Sequence, residues 1–247
     1  MSFISELRIA VRALRQRPGM VLAIVATLAM SVGANTAVFS VLYALILHPL
    51  AVDNPDHLVA IYQATNGSPY GTSALSTCYA LDSRHSLLAG VAAYATVSLP
   101  LDDGRDQSQL AVGLVTNNYF AVLGVRAQLG RTIRGGKPEA VGESSVAVLS
   151  FDQWKRRFNA DPGVVGKEIR IHGQALTIVG VAPADFQGTD LAAIPDLWVP
   201  VSAAPLLHID LLSGPAGLNL AVPLFNLVGR LRVGVSPGVW PTKSLFR

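Results

Sequence analysis

From Pro18 to Val52 the chain runs 35 consecutive residues without an aspartate, glutamate, lysine or arginine. Most of the stretch is Val, Leu, Ile, Ala or Phe, as in GMVLAIVATLAMSVGANTAVFSVLYALIL. A helix needs about 20 apolar residues to cross a hydrocarbon core of ~30 Å, so this run can span a bilayer with length to spare. The rival reading is a cleaved secretory signal, whose apolar region normally extends over about 7–15 residues and ends at a small-residue site. A weak site of that kind lies around Gly33–Ala37, but the run is too long for such a signal. Residues 18–50 are therefore expected to form an uncleaved transmembrane helix.

The charge around the run supports that reading. The sequence pI is 9.2, which invites a nucleic-acid interpretation until the charges are located. Residues 1–20 hold Arg8, Arg12, Arg15 and Arg17 against Glu6, and residues 21–247 hold 15 basic and 15 acidic side chains. All of the excess positive charge precedes the apolar run, so the domain beyond it carries no basic footprint for nucleic acid. Basic residues favour the cytoplasmic side. That places the N-terminus inside and the segment beginning with Asp53 and Asp56 outside. At 100° per residue, Phe3, Ile4, Leu7, Ala10, Val11 and Leu14 share an arc of about 120°. Arg8, Arg12 and Arg15 flank it. Like charges so placed repel unless lipid phosphates or an acidic partner neutralise them. Residues 1–17 thus read as an amphipathic basic interfacial helix, with Arg8, Arg12, Arg15 and Arg17 facing the interface or a partner. Arg17-Pro18-Gly19 breaks it from the span.

The remainder reads as a mixed α/β extracytoplasmic domain. Strand patterns occur at 58–62, 91–101, 109–116, 145–150, 196–201 and 226–233, and helices are expected at 76–88, 117–124 and 151–158. Gly124 is placed to cap the second of these helices. Residues 167–181 read as a hairpin turning at His172-Gly173. Residues 211–229 are uncharged but contain Pro215 and Pro223, so a loop with a buried strand and a partner-facing apolar surface is expected rather than a second span. The fold class is α+β: an N-terminal transmembrane helix, then a mixed α/β domain with a β-rich inserted part at about 130–205.

Four segments carry a family resemblance, in order. They are ELRIAVRALRQRPGMVLAIVATLAMSVGANTAVFSVLYALILHPL, VTNNYFAVLGVRAQLGRTI (115–133), SVAVLSFDQWKRRFNADPGVVGKEIRIHGQALTIVGVAPADFQG (145–188) and NLVGRLRVGVS (226–236). Together they resemble the MacB/FtsX-type ABC transporter permeases, with the first membrane helix followed by a MacB-like periplasmic core domain over 53–236. The resemblance rests on Tyr119, Phe120, Leu123, Gly124, Gly130, Arg131, Trp154, Phe158, Gly166, Gly173, Gly180, Pro183 and Phe186. Physically these read as fold residues. Tyr119, Phe120 and Leu123 form a helical face, and Gly124 and Gly130 permit positive-φ turns. Trp154 and Phe158 hold a helix to a strand. Gly173 turns the hairpin, and Gly180 allows a bulge before Pro183 ends the strand. Permeases of this kind continue past the returning strand into further membrane helices, whereas here PGVWPTKSLFR (237–247) is an irregular tail. The resemblance therefore implies a truncated, frameshifted or split permease.

Reactive constellations are not evident. No G-x-x-x-x-G-K-[ST] occurs, so ATP is expected on a separate ATPase subunit, with no cofactor on this chain. Histidines 48, 57, 85, 172 and 208 lack metal-ligand spacing, and Cys78 is the single cysteine. Asp82 and His85 read as a solvated pair on a helix. What the resemblance implies is a non-enzymatic permease subunit or fragment in a bacterial inner membrane, carrying ATP-driven conformational change to its periplasmic domain. Its partners would be the lipid bilayer, an ABC-type ATPase, a second permease protomer and an outer or periplasmic protein. The alternative is a membrane-anchored extracytoplasmic binding module without an ATPase.

Overall fold

The structure is a computed structural model that describes residues 18–46, 52–65, 68–84, 87–101, 109–134, 145–190, 193–214 and 217–235. The segment 1–17 with its four arginines, His85 and the tail 237–247 lie outside the described residues. The chain divides into two units, Met1–His48 and Pro49–Arg247.

The first unit contains α1 (Pro18–Ile46), 29 residues or about 44 Å long at 1.5 Å per residue. Proline opens it, where a missing N–H costs no intrahelical bond. Pro18–Ser40 has a mean hydropathy of 1.9 and is long and apolar enough to cross a membrane. Its two threonines turn their hydroxyls back onto the helix: Thr27 donates to Ala23 O and Thr36 to Val32 O, each at 2.8 Å. Both polar groups are thus satisfied without a partner outside the helix, as an apolar solvent requires.

The second unit holds the strands β1 (Leu58–Ile61), β2 (Gln63–Thr65), β3 (Ser68–Gly71), β4 (Ser73–Ala74), β5 (Leu88–Pro100), β6 (Gln109–Val115) and β7 (Leu129–Gly130). They continue with β8 (Val146–Leu149), β9 (Glu168–Ile171), β10 (Gln174–Val181), β11 (Leu197–Pro200), β12 (Ser213–Gly214), β13 (Gly217–Leu218) and β14 (Pro223–Leu231). The helices are α2 (Leu75–Arg84), α3 (Tyr119–Leu123) and α4 (Phe151–Phe158). One sheet runs β1-β14-β5-β6-β11-β8-β10-β7, with β4 also on β14 and β9 also on β10. Pairings β6–β11 and β8–β10 are parallel and the others in this sheet antiparallel. Two small ribbons, β2–β3 and β12–β13, pair only within themselves.

The sheet has an apolar cluster on each face. Successive strand residues go to opposite clusters: Val91, Ala93 and Ala95 to one, Ala92 and Tyr94 to the other. Ala147 and Leu149 divide from Val146 and Val148 in the same way, as do Leu197 and Val199 from Trp198. That is the period-two geometry of a strand covered on both sides. It is also why β5 shows an unbroken buried run, Val91–Ala95, rather than an alternation of apolar and polar residues.

Several boundaries differ from the sequence reading. The helix expected over 76–88 ends at Arg84, and Leu88 already belongs to β5. The reason lies in Leu88, which pairs with Leu231 and is buried in the main cluster. Asp82 is exposed, and its Oδ1 accepts from Val91 N at 2.8 Å and ties α2 to β5, while the pairing expected with His85 lies outside the described residues. The last strand starts at Pro223 rather than Asn226, because Pro223 and Phe225 pair with β4. On α4 the side chain buried most deeply is Gln153, while Phe151, Trp154 and Phe158 are half-buried.

Candidate functional site

The motif residues gather at two places. The first is the end of the domain where the chain enters and leaves. β1 and β14 are antiparallel neighbours, with Leu58 opposite Arg230, so the start of one strand lies beside the finish of the other. α3 packs here. Tyr119, Phe120, Val122 and Leu123 are all buried, a wider burial than the face expected from Tyr119, Phe120 and Leu123. Gly124 closes the helix at φ 70, and a Cβ on it would come within 2.5 Å of Asp53 Cβ. The glycine is required both by its backbone conformation and by this close approach.

Hydrogen bonds lock the junction. Asp53 N donates to Leu123 O at 3.1 Å. The Arg230 guanidinium on β14 donates from Nε to Val122 O and from its terminal nitrogen to Asp53 O, the latter at 2.7 Å. One side chain therefore holds the incoming segment and the Val122 carbonyl of α3 to the outgoing strand. Burial pulls the Arg230 pKa down and the Asp53 charge pulls it partly back. The group stays cationic, and its bonds to the carbonyls are charge-assisted. Arg232 adds a bond from Nε to Leu88 O at 3.1 Å. The sequence reading did not single out Arg230. A basic residue inside a buried, otherwise uncharged stretch was the available signal.

The second gathering is aromatic. Phe120 lies 5.8 Å from Trp198 and 5.9 Å from Phe186, and Phe186 lies 5.3 Å from Trp198. Tyr119 donates to or accepts from Thr189 Oγ1 at 2.9 Å, and Tyr94 OH donates to Thr189 O at 3.4 Å. Burial pushes the Tyr94 phenol up to about 12 and the Tyr119 phenol higher still, against the opposing effect of their hydrogen bonds to Thr189. Neither phenol ionises at neutral pH, and the cluster is a packed layer rather than a reactive one.

The remaining motif residues shape loops. Gly130 and Gly180 are cross-strand partners. A Cβ on Gly180 would meet Arg131 O at 2.2 Å, and one on Gly130 would meet Val179 O at 2.3 Å. The register of β10 against β8 shifts between Ile178 and Gly180, the bulge expected there. Arg131 N bonds Val179 O, while its side chain is exposed. Trp154 Nε1 donates to Asp161 O at 2.8 Å, and Trp154 and Phe158 pack on the main cluster. Gly166 at φ 90 and Gly173 at φ 79 serve turns, and Phe186 N bonds back to Pro183 O.

A cleft of about 230 Å³ between Phe151, Arg156, Phe186, Ile194 and Asp196 is bridged by the Arg156–Asp196 ion pair at 3.1 Å. It falls below the size usual for small-molecule sites. Among the described residues no group of three or more His, Cys, Asp or Glu side chains is set to hold a metal. Cys78 is buried, with its thiol pushed up to about 12 by burial and then by Asp82.

Known structures share this architecture. The periplasmic region of MacB from Actinobacillus actinomycetemcomitans matches with a TM-score of 0.51 at 16% identity, covering 74% of this chain and 77% of its own. A domain of a putative permease protein from Porphyromonas gingivalis matches at 0.54 and 18%, covering 76% and 81%. The extracellular domain of the noncanonic ABC-type transporter YknZ from Gram-positive bacteria matches at 0.51 and 14%, covering 72% and 84%. No curated protein sequence matches the chain. The family model described as the MacB-like periplasmic core domain matches residues 21–237, and with that match the chain belongs to the MacB-like periplasmic core domain family.

Proposed function

We propose that this chain is a non-enzymatic ABC transporter permease component that passes conformational change between its membrane segment and its extracytoplasmic domain. The observation that carries this reading is the Arg230 junction, where one guanidinium holds both Asp53 O and Val122 O. Displacement of the segment at Asp53 is then delivered to α3 and β14 together. The helix α1 suits such a role, since its ~44 Å exceeds the ~30 Å hydrocarbon core and a continuous helix moves as a rigid rod. Residues 1–17, with Arg8, Arg12, Arg15 and Arg17, would lie at the cytoplasmic surface of a bacterial inner membrane, close to a separate ATPase that hydrolyses ATP. A second permease protomer and an outer or periplasmic protein complete the proposed assembly.

Coupling of this kind is a mechanism only where two states differ in their contacts. The test is co-purification of the tagged chain from its native membrane, followed by ATPase measurement. An ABC-type ATPase is expected to accompany the chain, and Val38→Pro, which breaks α1, is expected to uncouple ATP turnover from transport in the assembled permease. Recovery without an ATPase would instead favour a membrane-anchored binding module. Unchanged coupling in Val38→Pro would sink the rigid-rod mechanism.

A further inference from the structure

His172 and His208 lie far apart in the sequence but face each other in space, with ring centroids 6.2 Å apart and planes at 84°. Both have left-handed backbone, φ 49 and φ 52, a region that few residues other than glycine adopt. His172 sits with Gly173 in the turn between β9 and β10, and its N–H donates to Pro100 O at 2.9 Å. Its Nδ1 lies 2.8 Å from Leu207 O. A carbonyl only accepts, so Nδ1 carries a proton, and in the neutral ring Nε2 is the nitrogen left to bind a ligand. A backbone carbonyl holding one imidazole nitrogen is the outer-shell arrangement that fixes the tautomer of a metal-ligating histidine.

His208 follows Leu207 and is exposed, with its Nε2 3.5 Å from the Gln174 side-chain amide. The cluster thus offers two imidazole nitrogens, and the Gln174 amide, whose nitrogen lies against His208, would present its oxygen to an ion after a flip of the amide. That donor set suits borderline divalent ions and not magnesium or calcium, which take oxygen-rich sites. We propose that His172, His208 and Gln174 form a binding site for a divalent transition-metal ion of the copper, nickel and zinc class. Imidazole nitrogens lie about 2.0–2.1 Å from such an ion, which puts two ring centroids on one ion roughly 5–6 Å apart. The observed 6.2 Å needs only a small swing of the exposed His208 while His172 stays on Leu207. A bound ion would cross-link the β9–β10 turn to the 204–208 turn.

The experiment titrates the full chain, purified in detergent without a histidine tag, with Cu²⁺, Ni²⁺, Zn²⁺ and Mg²⁺ by calorimetry. Thermal unfolding is followed in parallel. One equivalent of ion is expected, with Cu²⁺ tightest, Mg²⁺ silent and a rise in Tm on binding. His172→Gln and His208→Gln are each expected to weaken binding about tenfold or more, the scale of losing a metal-site group. Each should also remove the Tm rise, while His57→Gln leaves both intact. Should His172→Gln fail to fold, His208→Gln on its exposed turn decides alone. Absence of Cu²⁺, Ni²⁺ and Zn²⁺ binding, or binding that His208→Gln leaves unchanged, overturns the site.

Discussion

Gly180 and Gly166 are both glycines of the family motif, yet they answer to different constraints. Gly166 has φ 90 and open space where a Cβ would project, whereas a Cβ on Gly180 would strike the Arg131 carbonyl. Gly166→Ala is therefore expected to cost about 1–2 kcal/mol of backbone strain alone. Gly180→Ala forces the β7–β10 pairing apart and is expected to cost more, about 3 kcal/mol. Urea midpoints of the two variants check the order, and an equal cost would show that β7 moves freely. Cys78 makes a second residue-scale expectation. Its buried, protonated thiol is expected to resist thiol reagents at pH 8 in the folded protein and to react once urea exposes it. The glycines were legible in the sequence because turns and bulges announce themselves locally. The pairing of Gly130 with Gly180 was not, since nothing in either segment names its partner. Arg230 stood out only as a charge in an apolar strand, and its acceptors were not legible, because they are backbone carbonyls that leave no trace in residue identity.

At the scale of elements, α4 was read most fully in advance. Ser150 begins it, its side chain accepting from Gln153 N at 3.1 Å, and Asn159 ends it in the left-handed region at φ 50. Asp152 sits in its first turn and Lys155, Arg156 and Arg157 in its last, as the helix dipole favours. Ser150→Ala is expected to lower stability by about 1 kcal/mol, with Ser150→Asp retaining most of it. Chemical denaturation of the pair measures this. The hairpin β9–β10 was equally legible, because His172-Gly173 supplies the positive φ at both turn positions that such a turn demands. Strand order was not legible. β6 and β11 pair in parallel across an intervening stretch that contains β7 to β10, and hydrophobic periodicity specifies which face is buried without saying which strand lies alongside.

For the whole domain, buried thiol and phenol groups link stability to pH. Cys78 rises from 9.0 to about 12 and Tyr94 from 10.0 to about 12, with Tyr119 raised further, all chiefly through burial. Unfolding returns these groups to their ordinary values. Between about pH 9 and 12 the folded chain thus binds more protons than the unfolded one, so stability is full below pH 9 and falls as pH rises. Urea midpoints from pH 8 to 11 are expected to decline, and Cys78→Ala should move the onset toward pH 10, where the tyrosines begin. A flat profile would contradict the burial of all three. The adjacency of β1 and β14 has a mechanical consequence. Strands whose outer ends share one end of a sheet are loaded as a zipper when those ends are pulled apart. Their ladder bonds then fail one at a time, at low force, instead of together in shear. Arg230 stands at the mouth of this zipper, opposite Leu58 and bonded to Asp53 O, where the first bond would open. A lateral pull must break its charge-assisted grip before the ladder parts, which makes one guanidinium the rip-stop of the domain.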